Sequence, residues 1–172
     1  MTRKTLALTT ALLALANACG PPVSEGTGFD FRVTASAAAS DLLSGFQVAV
    51  LADSSAVDCG SVQNKCLKNV AGFNASELVS ISGADLKKHP ALLFPRNLGA
   101  SGEQAITVNG IPTGNHYAIF VEAVSTDHRF QGGFCGYQAQ VKPEKNAASF
   151  VATLTLKDIP DDCEPLLDAS GR

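Results

Sequence analysis

From residue 29 onward, apolar and polar side chains alternate along several short stretches. Phe29, Phe31 and Val33 alternate with Asp30, Arg32 and Thr34, and Phe46, Val48 and Val50 alternate with Gln47 and Ala49. Ile106 and Val108 flank Thr107, and Tyr117, Ile119 and Val121 form one face of a longer run. Tyr137, Ala139 and Val141 alternate with Gln138, Gln140 and Lys142, while Phe150, Ala152, Leu154 and Leu156 line one face of the last run. A period of two places every second side chain on the same side of a sheet, so each stretch predicts a strand. With the shorter run Leu78-Val79-Ser80-Ile81, the pattern gives about seven strands. Asn109-Gly110, Thr113-Gly114 and Gly132-Gly133 read as turns between them. The run Ala118 to Val124 is fairly apolar on both faces, which predicts a central strand.

Helical periodicity is nearly absent. Ala35 to Leu43, with its three consecutive alanines, reads as a short turn, and Ser82 to His89 as one helical turn ended by Pro90. The expected fold is therefore all-β: a two-layer antiparallel β-sandwich of the immunoglobulin or transthyretin type. The expected organisation is a signal peptide over residues 1–18, a tether over 19–28, a sandwich domain over 29–163 and a C-terminal tail over 164–172. Residues 57–104 read as a long irregular stretch whose segment from Asn64 to Phe73 is dispensable for folding.

Composition narrows the function classes. Lys and Arg total 13 against 16 Asp and Glu, a net charge of −3, which argues against a nucleic-acid partner because phosphate binding rests on basic charge. With 45% hydrophobic and only 17% charged residues, the chain is too apolar for intrinsic disorder.

The first residues read as an address. Arg3 and Lys4 precede the apolar run Leu6 to Leu15, and small residues follow up to Cys19, the order of a secretory signal. That run is well below the roughly 18 residues that span a bilayer. Leu15-Ala16-Asn17-Ala18-Cys19 resembles the lipobox of bacterial lipoproteins, although Ala16 stands where that family favours Leu. The resemblance implies cleavage before Cys19 and its modification by palmitate-type acyl chains. It also implies attachment to the cell envelope, at the outer membrane if there is one, since Gly20 rather than Asp follows the cysteine. The alternative is cleavage after Ala18 with Cys19 left unlipidated, giving a secreted or periplasmic protein. Loss of residues 1–18 removes two basic residues and no acid, so attachment would rest on acyl chains rather than on a polybasic patch.

Five cysteines fit this address, because lipid on Cys19 leaves an even number for disulfides. Cys59 and Cys66 bracket a polar segment that can bend back on itself, which favours pairing them and joining Cys135 to Cys163. The alternative, a zinc site, usually shows closer CxxC spacing.

Ile111-Pro112-Thr113-Gly114 leads into a strand opening at Tyr117, with Ile106 to Val108 before it. This hairpin resembles that of transthyretin-like and carboxypeptidase-regulatory-like domains, with two residues rather than one between Gly114 and Tyr117. The resemblance implies a sandwich and, by analogy, a non-catalytic accessory module. In it Pro112 fixes φ at the turn, Gly114 is free to take positive φ, and Tyr117 covers the end of the core.

Catalytic motifs such as GxSxG, HExxH or a phosphate loop are absent from the sequence, and no cofactor is expected. His116 and Glu122 share strand parity, but six residues of strand separate them by about 20 Å, too far for one ion. His128 lies in a polar loop within reach of Glu122 at the strand end. His89 sits beside Lys87 and Lys88 in a solvated patch. Asp158, Asp161, Asp162 and Glu164 surround Cys163 without a recognisable calcium loop. Asn74-Ala75-Ser76 matches a glycosylation sequon. The expectation is a non-enzymatic binding or structural module with an envelope protein as partner. Its binding surface would be Phe73, Leu92, Leu93 and Phe94, unless these side chains fold under as satellite core. The competing class is an exported soluble or metal-dependent enzyme using His116, His128 or the acids around Cys163.

Overall fold

The computed structural model describes residues 29–35, 41–52, 57–62, 64–141 and 151–167. The signal, Cys19 and the tether lie outside the described residues, as does Phe150.

The described residues form nine strands, one short α-helix and two single-turn 3-10 helices, Leu67–Asn69 and Ala75–Glu77. β1 (Phe29–Ala35) and β2 (Leu43–Leu51) are followed by α1 (Cys59–Val62), β3 (Ile81–Ser82), β4 (Lys88–His89) and β5 (Ala91–Pro95). β6 (Glu103–Val108), β7 (Gly114–Ser125), β8 (Phe130–Val141) and β9 (Val151–Leu154) complete the chain. One sheet has the order β6-β1-β9 and the other β5-β2-β7-β8, with β3 and β4 as a separate ribbon. The all-β sandwich expected from the alternation is the observed fold class. Its ladders are antiparallel except one: β1 and β9 run parallel, with Val33 opposite Ala152.

Parity decides which side chains enter the core. Phe46, Val48 and Val50 of β2 join Tyr117, Ile119, Val121 and Ala123 of β7. They meet Phe31 and Val33 of β1, Ile106 and Val108 of β6, and Ala152 and Leu154 of β9 in one buried cluster. The cluster draws on both larger sheets and is the layer between them. β7 is central, with β2 on one side and β8 on the other, as its two apolar faces require.

Several local expectations are overturned. Gly132-Gly133 is no turn but lies inside β8, where a Cβ on Gly132 would stand 2.7 Å from the carbonyl oxygen of Thr155. The glycine is there because the chain leaving β9 passes against the strand, and Lys157 N–H donates to Gln131 O at 2.8 Å. Ser82 to His89 forms no helical turn: Ser82 pairs with Lys88, and Ile81 with His89. Leu78 makes an isolated bridge to Leu51 rather than opening a strand, and β5 runs through the stretch read as irregular.

In the Pro112 hairpin, Tyr117 is buried in the core and its hydroxyl donates to Pro112 O at 2.8 Å. Burial pushes that phenol's pKa up. Positive φ occurs at Gly110 (75°) and at His116 (61°). At Gly110 a Cβ would also stand 2.9 Å from Ser82 Oγ.

Candidate functional site

A second buried layer covers the opposite face of β2 and β7. Ala49 and Leu51 of β2, Ala118 and Phe120 of β7, Ala91 of β5 and Cys135 of β8 pack against Val57, Val62, Leu67, Val70 and Leu167. Residues 57–62 and 64–70 therefore form a flap over that face, and the C-terminal segment joins it. Leu166 and Leu167, expected in a tail, pack into this layer.

Two disulfides hold the flap, and they are not the expected pairs. Cys59 is bonded to Cys135, with their Cα atoms 5.1 Å apart, and Cys66 to Cys163, with theirs 6.2 Å apart. The polar segment between Cys59 and Cys66 does not fold back to join them. Cys59 opens α1 against β8, whereas Cys66 reaches Phe130 and Cys163 in a small cluster of its own. Closeness in sequence misled here because each cysteine belongs to a different contact of the same flap. All four being disulfide-bonded also overturns the zinc alternative.

Tyr137 ties the start of the flap to β8. Its hydroxyl accepts from Cys59 N–H at 2.8 Å and donates to Val57 O at 2.9 Å. The segment from Asn64 to Phe73, expected to be dispensable for folding, contains a disulfide half-cystine and the buried Leu67 and Val70.

Beneath the flap lies a polar pair. Gln47 and Glu122 are directly opposite one another on β2 and β7, and both are buried. Gln47 Nε2 donates to Glu122 Oε2, and Leu67 N–H donates to Glu122 Oε1 at 2.7 Å. Gln47 Oε1 accepts from Leu167 N–H at 2.7 Å. Burial pushes the Glu122 carboxyl up to about 7, against the opposing pull of the Leu67 and Gln47 hydrogen bonds and of the Lys68 charge. Glu122, which the sequence places too far from His116 and within reach of His128, is partnered by Gln47 and Leu67. A paired polar residue in each of two strands apolar on both faces was the signal available for this site.

The expected binding residues divide between the two layers. Leu92 and Phe94 pack against the inter-sheet core, while Leu93 and Phe73 pack against the outer layer. Leu92, Leu93 and Phe94 nevertheless line one groove of about 350 Å³, walled by Gly83, Ala84, Asp85 and His89 of the β3–β4 ribbon; Phe73 is not among its lining residues. Asp85 Oδ1 accepts from Lys87 N–H at 3.2 Å, and its Oδ2 lies 4.0 Å from His89 Nε2. The turn above the groove displays Leu86, exposed and at a φ of 58°.

The remaining polar candidates stand apart. His116 is exposed, and His128 lies in the β7–β8 turn at a φ of 60°, its N–H donating to Ser125 O at 3.0 Å. Asp161 pairs with Lys157, while Asp158, Asp162 and Glu164 are exposed. Among the described residues no three His, Cys, Asp or Glu side chains come together as a metal-holding group. Asn74 of the sequon accepts from Ser76 N–H at 3.0 Å, capping a single turn.

Compared with family models, curated proteins and solved structures, the chain matches none. Two facts bear on location. The disulfides point to an oxidising, extracytoplasmic environment. Among the described residues no helix is long and apolar enough to cross a membrane.

Proposed function

We propose that this protein is a lipid-anchored component of the cell envelope whose β-sandwich is a non-catalytic binding or structural module. The observation that carries the reading is the cysteine accounting. Cys59, Cys66, Cys135 and Cys163 are consumed in disulfides, which leaves Cys19, the residue of the lipobox-like sequence, as the fifth. Acyl chains on that residue hold the domain at a membrane surface through the tether 19–28. The recognition surface is the groove over Leu92, Leu93 and Phe94, half-buried side chains between a sheet edge and the β3–β4 turn. An apolar floor with a few polar groups at its wall suits a small apolar moiety of an envelope protein or component.

The test is an intact mass of the membrane-extracted protein, before and after reduction and thiol labelling. The expected result is a chain starting at Cys19 with acyl mass, no thiol labelled before reduction and four afterwards. A chain starting at Cys19 without lipid and with one thiol labelled from the outset overturns the anchor and makes the protein a soluble exported one.

A further inference from the structure

Two segments far apart in sequence, residues 57–70 and 163–167, cover the outer face of β2, β7 and β8 together. Each gives one backbone N–H to the same buried pair, Leu67 to Glu122 and Leu167 to Gln47. The Cys66–Cys163 disulfide joins the two segments directly, and Cys59–Cys135 ties the start of the first to β8. The geometry fixes the orientation of the Gln47 amide. Its oxygen faces the Leu167 N–H, so its NH₂ faces Glu122, which then accepts a hydrogen bond on each carboxyl oxygen.

That pattern suits a carboxylate. The surroundings suit the neutral acid, because they remove the water that would solvate a charge. β2, β5 and β8 carry no charged side chain, and β7 carries only exposed His116 besides Glu122. On the covering segments Asp58, Lys65, Lys68 and Glu164 are all exposed. The Lys68 charge pulls the Glu122 carboxyl down, and burial outweighs it. The hydrogen bonds that seat the covering segments and the burial they impose therefore make opposite demands on one carboxyl group.

We propose that residues 57–70 and 163–167 form a proton-sensitive strap, seated while Glu122 holds a proton and opening as Glu122 ionises, so that Ala49, Leu51, Ala118 and Phe120 become accessible. Cys59–Cys135 and the Phe130 N–H that donates to Cys163 O at 3.0 Å hold the two segments at β8, Cys66–Cys163 joins them there, and Leu67 to Val70 and Glu164 to Leu167 are the parts that lift. The sign follows from linkage. In the seated form the carboxyl titrates at about 7, and in the open, hydrated form at its ordinary 4.5. Below the lower value both forms hold the proton and seating is at its strongest. Between the two values opening releases a proton, so the open fraction grows by up to about tenfold per pH unit. Above the upper value it levels off.

Amide hydrogen exchange on the full, oxidised chain between pH 5 and 8, corrected for intrinsic exchange, tests this. Opening measured at Leu67 and Leu167 is expected to rise up to pH 7 and then level, while Val50 and Ile119 keep constant protection. Glu122→Gln is expected to abolish the rise. Strap amides whose protection does not change with pH, or a Glu122→Gln protein with the same rise, would overturn the proposal. If that variant does not fold, carboxyl NMR of the native protein decides. A Glu122 midpoint near neutrality is expected, and one at the ordinary carboxylate value removes the switch.

Discussion

The inter-sheet core and the layer under the strap bury similar kinds of side chain but are held in different ways. Between the sheets the contacts come from strands, so backbone groups are already paired in ladders and the side chains are apolar: Phe31, Phe46, Ile106, Ile119 and Leu154 among them. Outside, the cover is a one-turn α-helix, the 3-10 turn Leu67–Asn69 and irregular chain, whose backbone donors need partners that a ladder does not supply. Gln47, Glu122 and Tyr137 supply them, and two disulfides add covalent closure. Regular structure lets a core be purely apolar. An irregular cover requires buried polar side chains and cross-links, and with them comes sensitivity to protons and reductants.

If this contrast is right, damage to the two layers should differ in size and reach. Phe46→Ala empties a fully buried site between the sheets and is expected to cost about 3–5 kcal/mol, read as a loss of global stability in urea. Replacing both Cys66 and Cys163 with Ser frees the strap from its cross-link and is expected to cost about 2–4 kcal/mol. Its exchange protection should fall most at Leu67 and Leu167 and least at Ile119. Equal loss at all three sites would mean that the layers are one cooperative unit. Gln47→Leu leaves the Leu167 N–H and one Glu122 oxygen without their partner, for about 1–3 kcal/mol, measured in the same denaturation series. Tyr137→Phe removes the two hydrogen bonds at the start of the strap. About 0.5–1.5 kcal/mol is expected, confined to exchange near Val57 and Cys59. A Tyr137→Phe effect larger than that of Phe46→Ala would reverse the ranking and break the comparison.

The same contrast explains how legible the chain was. The alternation in Phe29–Val33, Phe46–Val50 and Tyr117–Val121 located β1, β2 and β7, because a strand with one face in a core carries its position in its own sequence. β8 was read short because Gly132-Gly133 looks like a turn. The close pass of Thr155 that requires a glycine is a long-range fact. β5 was missed because Leu92, Leu93 and Phe94 are consecutive apolar residues facing two different layers, which destroys the period of two. The disulfide pairing failed for a related reason: loop residues are placed by partners distant in sequence, and Cys59 and Cys66 meet partners separated by 76 and 97 residues. Glu122 stands out as an acid in an apolar run, but the sequence offers only a weak metal-ligand reading for it. Its role depends on Gln47 across the ladder and on Leu67 above it, neither of which spacing along one strand reveals.

The parallel alignment of β1 with β9 bears on how the domain is assembled in time. β1 is flanked by β6 and β9, the latter the last strand among the described residues. Its sheet therefore stays unfinished until β9 is available; Cys135 precedes that strand, so Cys59–Cys135 can close earlier, whereas Cys66–Cys163 waits longer still. Such non-local closure makes folding slow relative to a hairpin-by-hairpin route. A nascent fragment ending before residue 151 would leave one edge of β1 without its neighbour, an open strand edge that only β9 closes.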